Sequence, residues 1–216
     1  MNQTMNPAPS SLNTRERILD AAESLIIERG FVATSLRAIA AEANVNLAAT
    51  HYHFGSKDGL LAEVFHRRMH PVSEARLRAL TDLEEGGTRL TVKAILKAFL
   101  EPFYCANQSD LIDTLPSLIG RIHGEPESIT KPIMEQEFTE VASRFLGAVA
   151  SILPEIPPDE LRWRFHFVVG SMIQLLRFHA PLGMQTSSET LLRGLDQLVD
   201  FASAGIDQKQ YEGGPA

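Results

Sequence analysis

From Asn13 to about residue 204, the apolar residues of this chain return every three or four positions, and no run alternates convincingly with period two between hairpin signals. The first pattern buries one stripe of a helix, whereas a half-buried strand needs the second, so the reading is all-α with no sheet. Ile18, Leu19, Ala22, Leu25 and Ile26 mark a first helix, with Asn13 as its N-cap, Glu16 three residues on and Gly30 as its stop. Leu36, Ile39, Ala40 and Ala43 form one face of a short second helix that Thr34 or Ser35 caps. Asn44 suits a left-handed turn, Val45 plugs it, Asn46 caps a third helix through about His53, and Gly55-Ser56 ends that helix and caps the next. Three short helices with a tight turn between the second and third make a helix-turn-helix unit.

A long fourth helix opens with Leu60, Leu61, Val64 and Phe65 and meets Pro71. Proline there removes the hydrogen bond to the Arg67 carbonyl, which predicts a kink or break near His70. "EEGGT" (Glu84 to Thr88) reads as a linker. Further helices are expected over about 88–106, 109–123, 128–153, 158–180 and 187–204, between breaker clusters such as "PEIPPDE", for about nine in all. The domain reading is a disordered leader over 1–12, a helix-turn-helix domain over 13–57, a second helical domain over 58–205 and a disordered tail over 206–216.

Composition narrows the setting. The 216 residues suffice for a small domain joined to a larger one with its own core. A single cysteine, Cys105, excludes an intramolecular disulfide framework, and no stretch has the uninterrupted apolar length of a membrane span, so a cytoplasmic protein is expected. The net charge of −7 argues against a nucleic-acid partner only until it is divided along the chain. Residues 1–57 hold five basic groups (Arg15, Arg17, Arg29, Arg37, Lys57) and five acidic ones, so the remaining 15 basic and 22 acidic groups carry the whole excess. Duplex binding depends on where a few cations sit, so overall acidity decides little.

The histidines raise the question of a metal. His51 and His53 are two apart on a helix and point in different directions, so they cannot readily chelate one ion. His66 and His70 could share a face, and Glu63 with His66 repeats the Glu-x-x-His spacing of di-iron bundles; that architecture needs a second such pair, and the chain has none. An ordinary helix face is the simpler reading, with no metal and no cofactor expected. No Gly-rich phosphate loop, nucleophile elbow or acid–base constellation is visible, so no catalytic residue is assigned and an enzyme is not expected.

One stretch is more specific. "ILDAAESLIIERGFVATSLRAIAAEANVNLAATHYHFGSKDGLLAEVF" resembles the DNA-binding region of the Tet repressor family of bacterial transcriptional regulators, in its Ile-Leu-x-Ala-Ala helix, Arg-Gly-Phe, Thr-Ser-Leu-Arg-x-Ile-Ala and Tyr-x-Phe followed by Lys and Leu. The "TSLR", "VNLAA" and "YHFGSK" wording is similar to the PsrA-type, fatty-acid-responsive subgroup, as is "ELRWRFHFVVGSM" in the second domain. In a helix-turn-helix the second helix enters the major groove. Asn46 and His51 carry groups able to hydrogen-bond base edges, and Ala48 and Ala49 permit close approach to thymine methyls. Thr50 is expected inside. The resemblance implies that Tyr52, His53, Lys57 and Ser35 hold phosphates and that Arg37 meets a guanine or the backbone. Many relatives start this helix with a polar or basic side chain, whereas Leu47 here precedes two alanines, so DNA shape and thymine contacts are expected to carry much of the specificity.

For the second domain the resemblance implies a ligand cavity and a homodimer seam. Phe99, Phe103, Leu118, Arg121, Phe138, Phe167 and Met172 are candidates for the cavity, with Arg121, Arg164 and Arg177 as partners for an anionic head. Trp163, Leu191, Leu195 and Leu198 are candidates for the seam, although an intramolecular seam would show the same stripe. The expected partners are double-stranded operator DNA, a second copy of the chain and a small-molecule effector of the fatty-acid or acyl-CoA kind, with no membrane. The alternative is a helical small-molecule-binding or protein-interaction module without operator binding.

Overall fold

The computed structural model describes residues 9–87, 89–105, 118, 119, 122, 124–178, 181, 183–185 and 187–208. Its helices are α1 (Pro9–Arg29), α2 (Leu36–Glu42), α3 (Leu47–Phe54), α4 (Lys57–Glu85), α5 (Val92–Cys105), α6 (Glu127–Ile152), α7 (Pro158–Phe178) and α8 (Ser188–Asp207). No strand occurs among the described residues, and none of the helices there is long and apolar enough to cross a membrane. The helix expected over about 109–123 lies largely outside the described residues, as do most of the leader and the tail.

Contacts group the chain into two units: 1–69 with 117–134, and 70–116 with 135–216. The division falls inside α4, beyond the expected boundary at 57, and again inside α6. Pro71 does not break α4, which runs through it; the proline is exposed, so the carbonyl it leaves unpaired is best placed to meet water.

In the first unit α1 begins before its expected cap. Proline is tolerated in a first turn because its missing N–H would be unpaired anyway, so Pro9 starts the helix and Asn13 lies within it. Ile18, Leu19, Ala22, Leu25 and Ile26 are buried as the periodicity requires. Gly30, with φ +84°, ends the helix, and a Cβ there would lie 3.1 Å from the Glu125 carboxylate, which accepts the Phe31 N–H at 2.6 Å. Glu23, buried on α1, accepts from both Arg67 and Arg68 of α4 at 2.6 Å, and Arg67 also donates to Asp20 at 2.7 Å.

In the second unit α8 packs on α5 and α7. Phe99 of α5 sits at its centre, with ring centroids 5.2 Å from Phe145 of α6 and 4.8 Å from Phe165 of α7. Gly194 lets α7 and α8 approach, since a Cβ there would come within 2.8 Å of Leu175. Arg164 is held by Glu160 at 3.0 Å and donates to the carbonyls of Ile206 and Gln208 at 2.7 and 2.6 Å, closing the C-terminal end of α8.

Candidate nucleic-acid interface

The turn between α2 and α3 is built by local chemistry. Ser35, and not Thr34, caps α2, its hydroxyl accepting the Ala38 N–H at 3.1 Å; Thr34 is buried and donates to the Gly30 carbonyl at 2.7 Å. Asn44 takes the left-handed conformation at φ +50°, and the half-buried Val45 donates its N–H to the Ala40 carbonyl at 2.9 Å. Arg17 of α1 clamps the turn by donating to the carbonyls of Ala43 and Asn44. Asn46 caps α3 by accepting the Ala48 N–H at 2.9 Å. Thr50 is buried, its hydroxyl donating to the Leu47 carbonyl at 2.7 Å, and Phe54 closes the core with the Arg15 guanidinium 5.5 Å from its ring.

The exposed residues of this region are Asn46, Ala48, His51 and Tyr52, while Leu47, Ala49 and His53 are half-buried. Two of the expected base readers have part of their hydrogen-bonding capacity committed. The Asn46 carbonyl oxygen serves the cap with one of its two lone pairs, which holds the side chain against the start of α3 and leaves its amide N–H groups and one acceptor site for a base edge. His51 Nδ1 lies 3.1 Å from the Gly55 carbonyl; with the proton there, Nε2 remains as an acceptor, suited to the amino groups of adenine or cytosine. Tyr52 is 85% exposed and its ring meets His53 edge-on at 5.2 Å.

The cations divide sharply. Arg15 pairs with Glu63, Arg17 is spent on the turn, and Arg29 lies 3.4 Å from Glu28. Lys57 leans across the end of α1, its Nζ 3.2 Å from the Val32 carbonyl and 4.2 Å from the Phe31 ring centroid. Partial burial lowers the Lys57 pKa, against the opposing pull of Glu125 and Asp58. Arg37, exposed on α2, alone of the five has no internal acceptor among the described residues.

The remaining candidate residues scatter. Phe99, Phe103 and Met172 come together around Arg76, a residue the sequence analysis did not name. A signal for it was present: Phe65, Met69, Val72, Arg76 and Leu80 are one apolar stripe of α4 with a single charged member, and the other four are buried. Phe138 is half-buried on α6, Leu118 is buried in the first unit, and Arg121 lies outside the described residues. Phe167 is not with the buried rings: it is 62% exposed on α7, 6.0 Å from Trp163, which is 61% exposed. Leu191, Leu195 and Leu198 are buried against the chain's own helices, so the α8 stripe is an intramolecular seam. Trp163, His166, Phe167, Gly170, Gln174 and Phe178 are exposed on α7 and line a groove of about 620 Å³.

A helix-turn-helix with an exposed third helix, in a chain that also holds a second helical unit, places the protein in the class of helix-turn-helix proteins. The chain belongs to the TetR family of bacterial regulatory proteins: residues 18–64 match that family's N-terminal domain, and residues 97–205 match the tetracyclin repressor-like C-terminal domain. It is 28% identical over 134 residues to the transcriptional repressor BepR of Brucella suis biovar 1, covering 62% of this chain and 63% of that protein. Over 106 residues it is 29% identical to the nicotine-responsive transcriptional repressor HdnoR of Paenarthrobacter nicotinovorans, covering 49% and 52%. The matches thus span about half to under two thirds of these relatives' length. Among solved structures, a TetR-family regulatory protein from Rhodococcus RHA1 has a TM-score of 0.63 at 17% identity, covering 91% of this chain and 98% of that one. The fatty acid degradation regulator FadR from Bacillus halodurans has 0.62 at 13%, covering 94% and 97%. At such identities the likeness speaks for the fold.

Proposed function

We propose that this protein is a dimeric, ligand-responsive transcriptional repressor that binds a near-palindromic operator through α3 and leaves it when a small molecule occupies the second unit. The observation that carries the reading is the exposed face of α3, with Asn46, Ala48, His51 and Tyr52 outward, and an exposed Arg37 that has no internal acceptor among the described residues. Tyr52, His53, Lys57 and Ser35 would hold phosphates, Lys57 by exchanging the Val32 carbonyl for a phosphate oxygen. With so few polar groups on offer, sequence is read largely through thymine methyls and DNA shape. Two relatives named as repressors, one of them nicotine-responsive, support both halves of the proposal.

The dimer seam is the outward stripe of α7, where Trp163, Phe167 and Phe178 expose more apolar surface than a lone helix usually leaves to water. The effector is apolar or amphipathic, and the wording shared with the PsrA-type subgroup favours a fatty acid or acyl-CoA. Effector binding stabilises a dimer spacing that no longer matches successive major grooves. A gel shift with the DNA upstream of the protein's own coding sequence, at low and moderate salt, tests the core of the proposal. A specific complex that survives moderate salt is expected; only diffuse, salt-sensitive retardation would leave the helical binding module without operator recognition as the better account.

A further inference from the structure

The core of the second unit contains a charged side chain that no carboxylate among the described residues answers. Arg76 of α4 is 1% exposed. Its Nε donates to the Phe99 carbonyl at 2.7 Å, a terminal nitrogen reaches the Met172 sulfur at 3.3 Å, and the guanidinium lies 4.1 and 5.6 Å from the ring centroids of Phe99 and Phe103. A guanidinium carries five N–H donors, and these partners occupy two of them, one only softly. Among the described residues no Asp or Glu pairs with it.

Two further groups nearby are also without partners. Tyr104 of α5 is 1% exposed, its ring lies 6.0 Å from that of Phe103, which also faces Arg76, and its hydroxyl is unpartnered. Ser73 lies three residues before Arg76 on the same face of α4, is 7% exposed, and its hydroxyl is equally unpartnered. Burial lowers the Arg76 pKa to about 9, which leaves it charged at neutral pH, and burial raises that of the Tyr104 phenol, which keeps its proton. The cluster therefore presents a surplus of donors and one net positive charge inside an aromatic core. Buried donors are almost always satisfied in folded proteins, and a buried cation calls for an anion.

We propose that Arg76, with Tyr104 and Ser73, binds the carboxylate of a small organic acid whose apolar body lies among Phe99, Phe103 and the adjoining rings. The proposal deepens the effector reading above and rests on it only for the consequence at DNA. A carboxylate fits because it accepts about four hydrogen bonds, takes an arginine two-pronged, and matches a single cation in charge. Met172 holds the place meanwhile: its flexible thioether is a weak acceptor that a carboxylate oxygen displaces. Such a site selects a free acid over its thioester, which lacks the anionic oxygens.

Calorimetric titration of the full chain with octanoate, dodecanoate, the matching alcohols and dodecanoyl-CoA tests this, in parallel with operator binding by anisotropy. Wild type is expected to bind at least one of the two acids about tenfold or more tighter than its alcohol, and R76M to lose that preference about tenfold to a hundredfold. R76K should retain part of it, and Y104F should weaken the acid more than the alcohol. R76M should melt no lower than wild type, since methionine removes an unpaired buried charge, so loss of the preference cannot be ascribed to unfolding. Equal binding of acid and alcohol, undiminished preference in R76M, binding of the thioester alone, or binding of none of these probes would overturn the assignment. Acid binding without any change at the operator would leave the site standing and remove the acid as the effector that releases the operator; operator release by a neutral alcohol, unchanged in R76M, would do the reverse.

Discussion

Replacing Arg37 with alanine should change how operator affinity responds to salt by an amount the structure sets. Each phosphate neutralised by a cation contributes about −0.9 to the slope of log affinity against log salt. Within residues 1–57 Arg15, Arg17 and Arg29 are engaged by the protein, which leaves Arg37 and a Lys57 released from Val32 as the cations beside the reading helix. A two-fold dimer then presents four such cations, and the slope should be roughly −4, so that affinity falls about a hundredfold between roughly 50 and 200 mM salt. Arg37→Ala removes two of the four; its slope should be roughly −2, with a loss of only about tenfold over the same range. Fluorescence anisotropy on an operator duplex across a salt series measures both. A wild-type slope steeper than about −7 would mean that cations outside this inventory dominate, and an unchanged slope in Arg37→Ala would show that Arg37 meets no phosphate. If Arg37 meets a guanine instead, the loss should concentrate on one base position when the operator is scanned, a pattern that a backbone contact cannot produce.

Other outcomes follow from single contacts. Tyr52→Phe, which deletes one exposed hydroxyl, should weaken all operator variants alike by a few-fold; discrimination between bases would instead make Tyr52 a reader. Phe167→Glu places a charge in the outward α7 groove, and analytical ultracentrifugation should then find monomer where wild type gives dimer; an unchanged dimer would put the seam elsewhere. Glu23→Ala takes the buried carboxylate away from Arg67 and Arg68 and leaves Arg67 its exposed partner Asp20. Because both arginines reach water, the loss should fall somewhat below the ~3–5 kcal/mol typical of breaking a buried pair, and calorimetry should show melting lowered on the order of 5–10 °C. A shift under about 2 °C would mean that the cluster contributes little.

How far the sequence led depended on whether a feature is local. The α2–α3 turn was legible almost atom by atom, since Ser35, Asn44, Asn46 and Gly55 act on backbone groups within four residues of themselves. Thr50 is placed inside on a different ground, the family resemblance, which puts a core aliphatic at that position, and it is buried. The start of α1 was misread because a polar Asn13 ahead of an apolar run looks like a cap whether or not the helix extends further back, and Pro9 permits that extension. The α8 stripe is legible as a buried face but not as to what buries it: Leu191, Leu195 and Leu198 pack against the chain's own helices, while exposed apolar side chains stand on both helices, Trp163, Phe167 and Phe178 on α7 and Leu192 and Phe201 on α8. Periodicity reports that a face avoids water and is silent about which surface covers it.

The arginines make the same point about function. Arg164 was named as an anion partner because it lies near apolar residues, yet Glu160 four residues earlier already offered the helical pairing that it makes. Arg76 was passed over because its stripe reads as core, and it is the arginine that its surroundings leave unanswered. At the other end of the chain, Arg37 is distinguished from Arg15 and Arg17 in the same way, by lacking an internal acceptor among the described residues. A cation satisfied by its own protein is accounted for by the fold. Arg37, exposed beside the reading helix, and Arg76, buried among aromatic rings, are paired with no carboxylate among the described residues, and they point to two anions of different kinds: a phosphate in a polyelectrolyte backbone, where salt competes, and a carboxylate in a dry interior, where it does not. Salt should therefore weaken operator binding steeply while leaving acid binding nearly unchanged, because screening acts on exposed charges and hardly reaches a pair sealed from solvent. Equal salt dependence of the two equilibria would place the acid at the surface and remove Arg76 from its recognition.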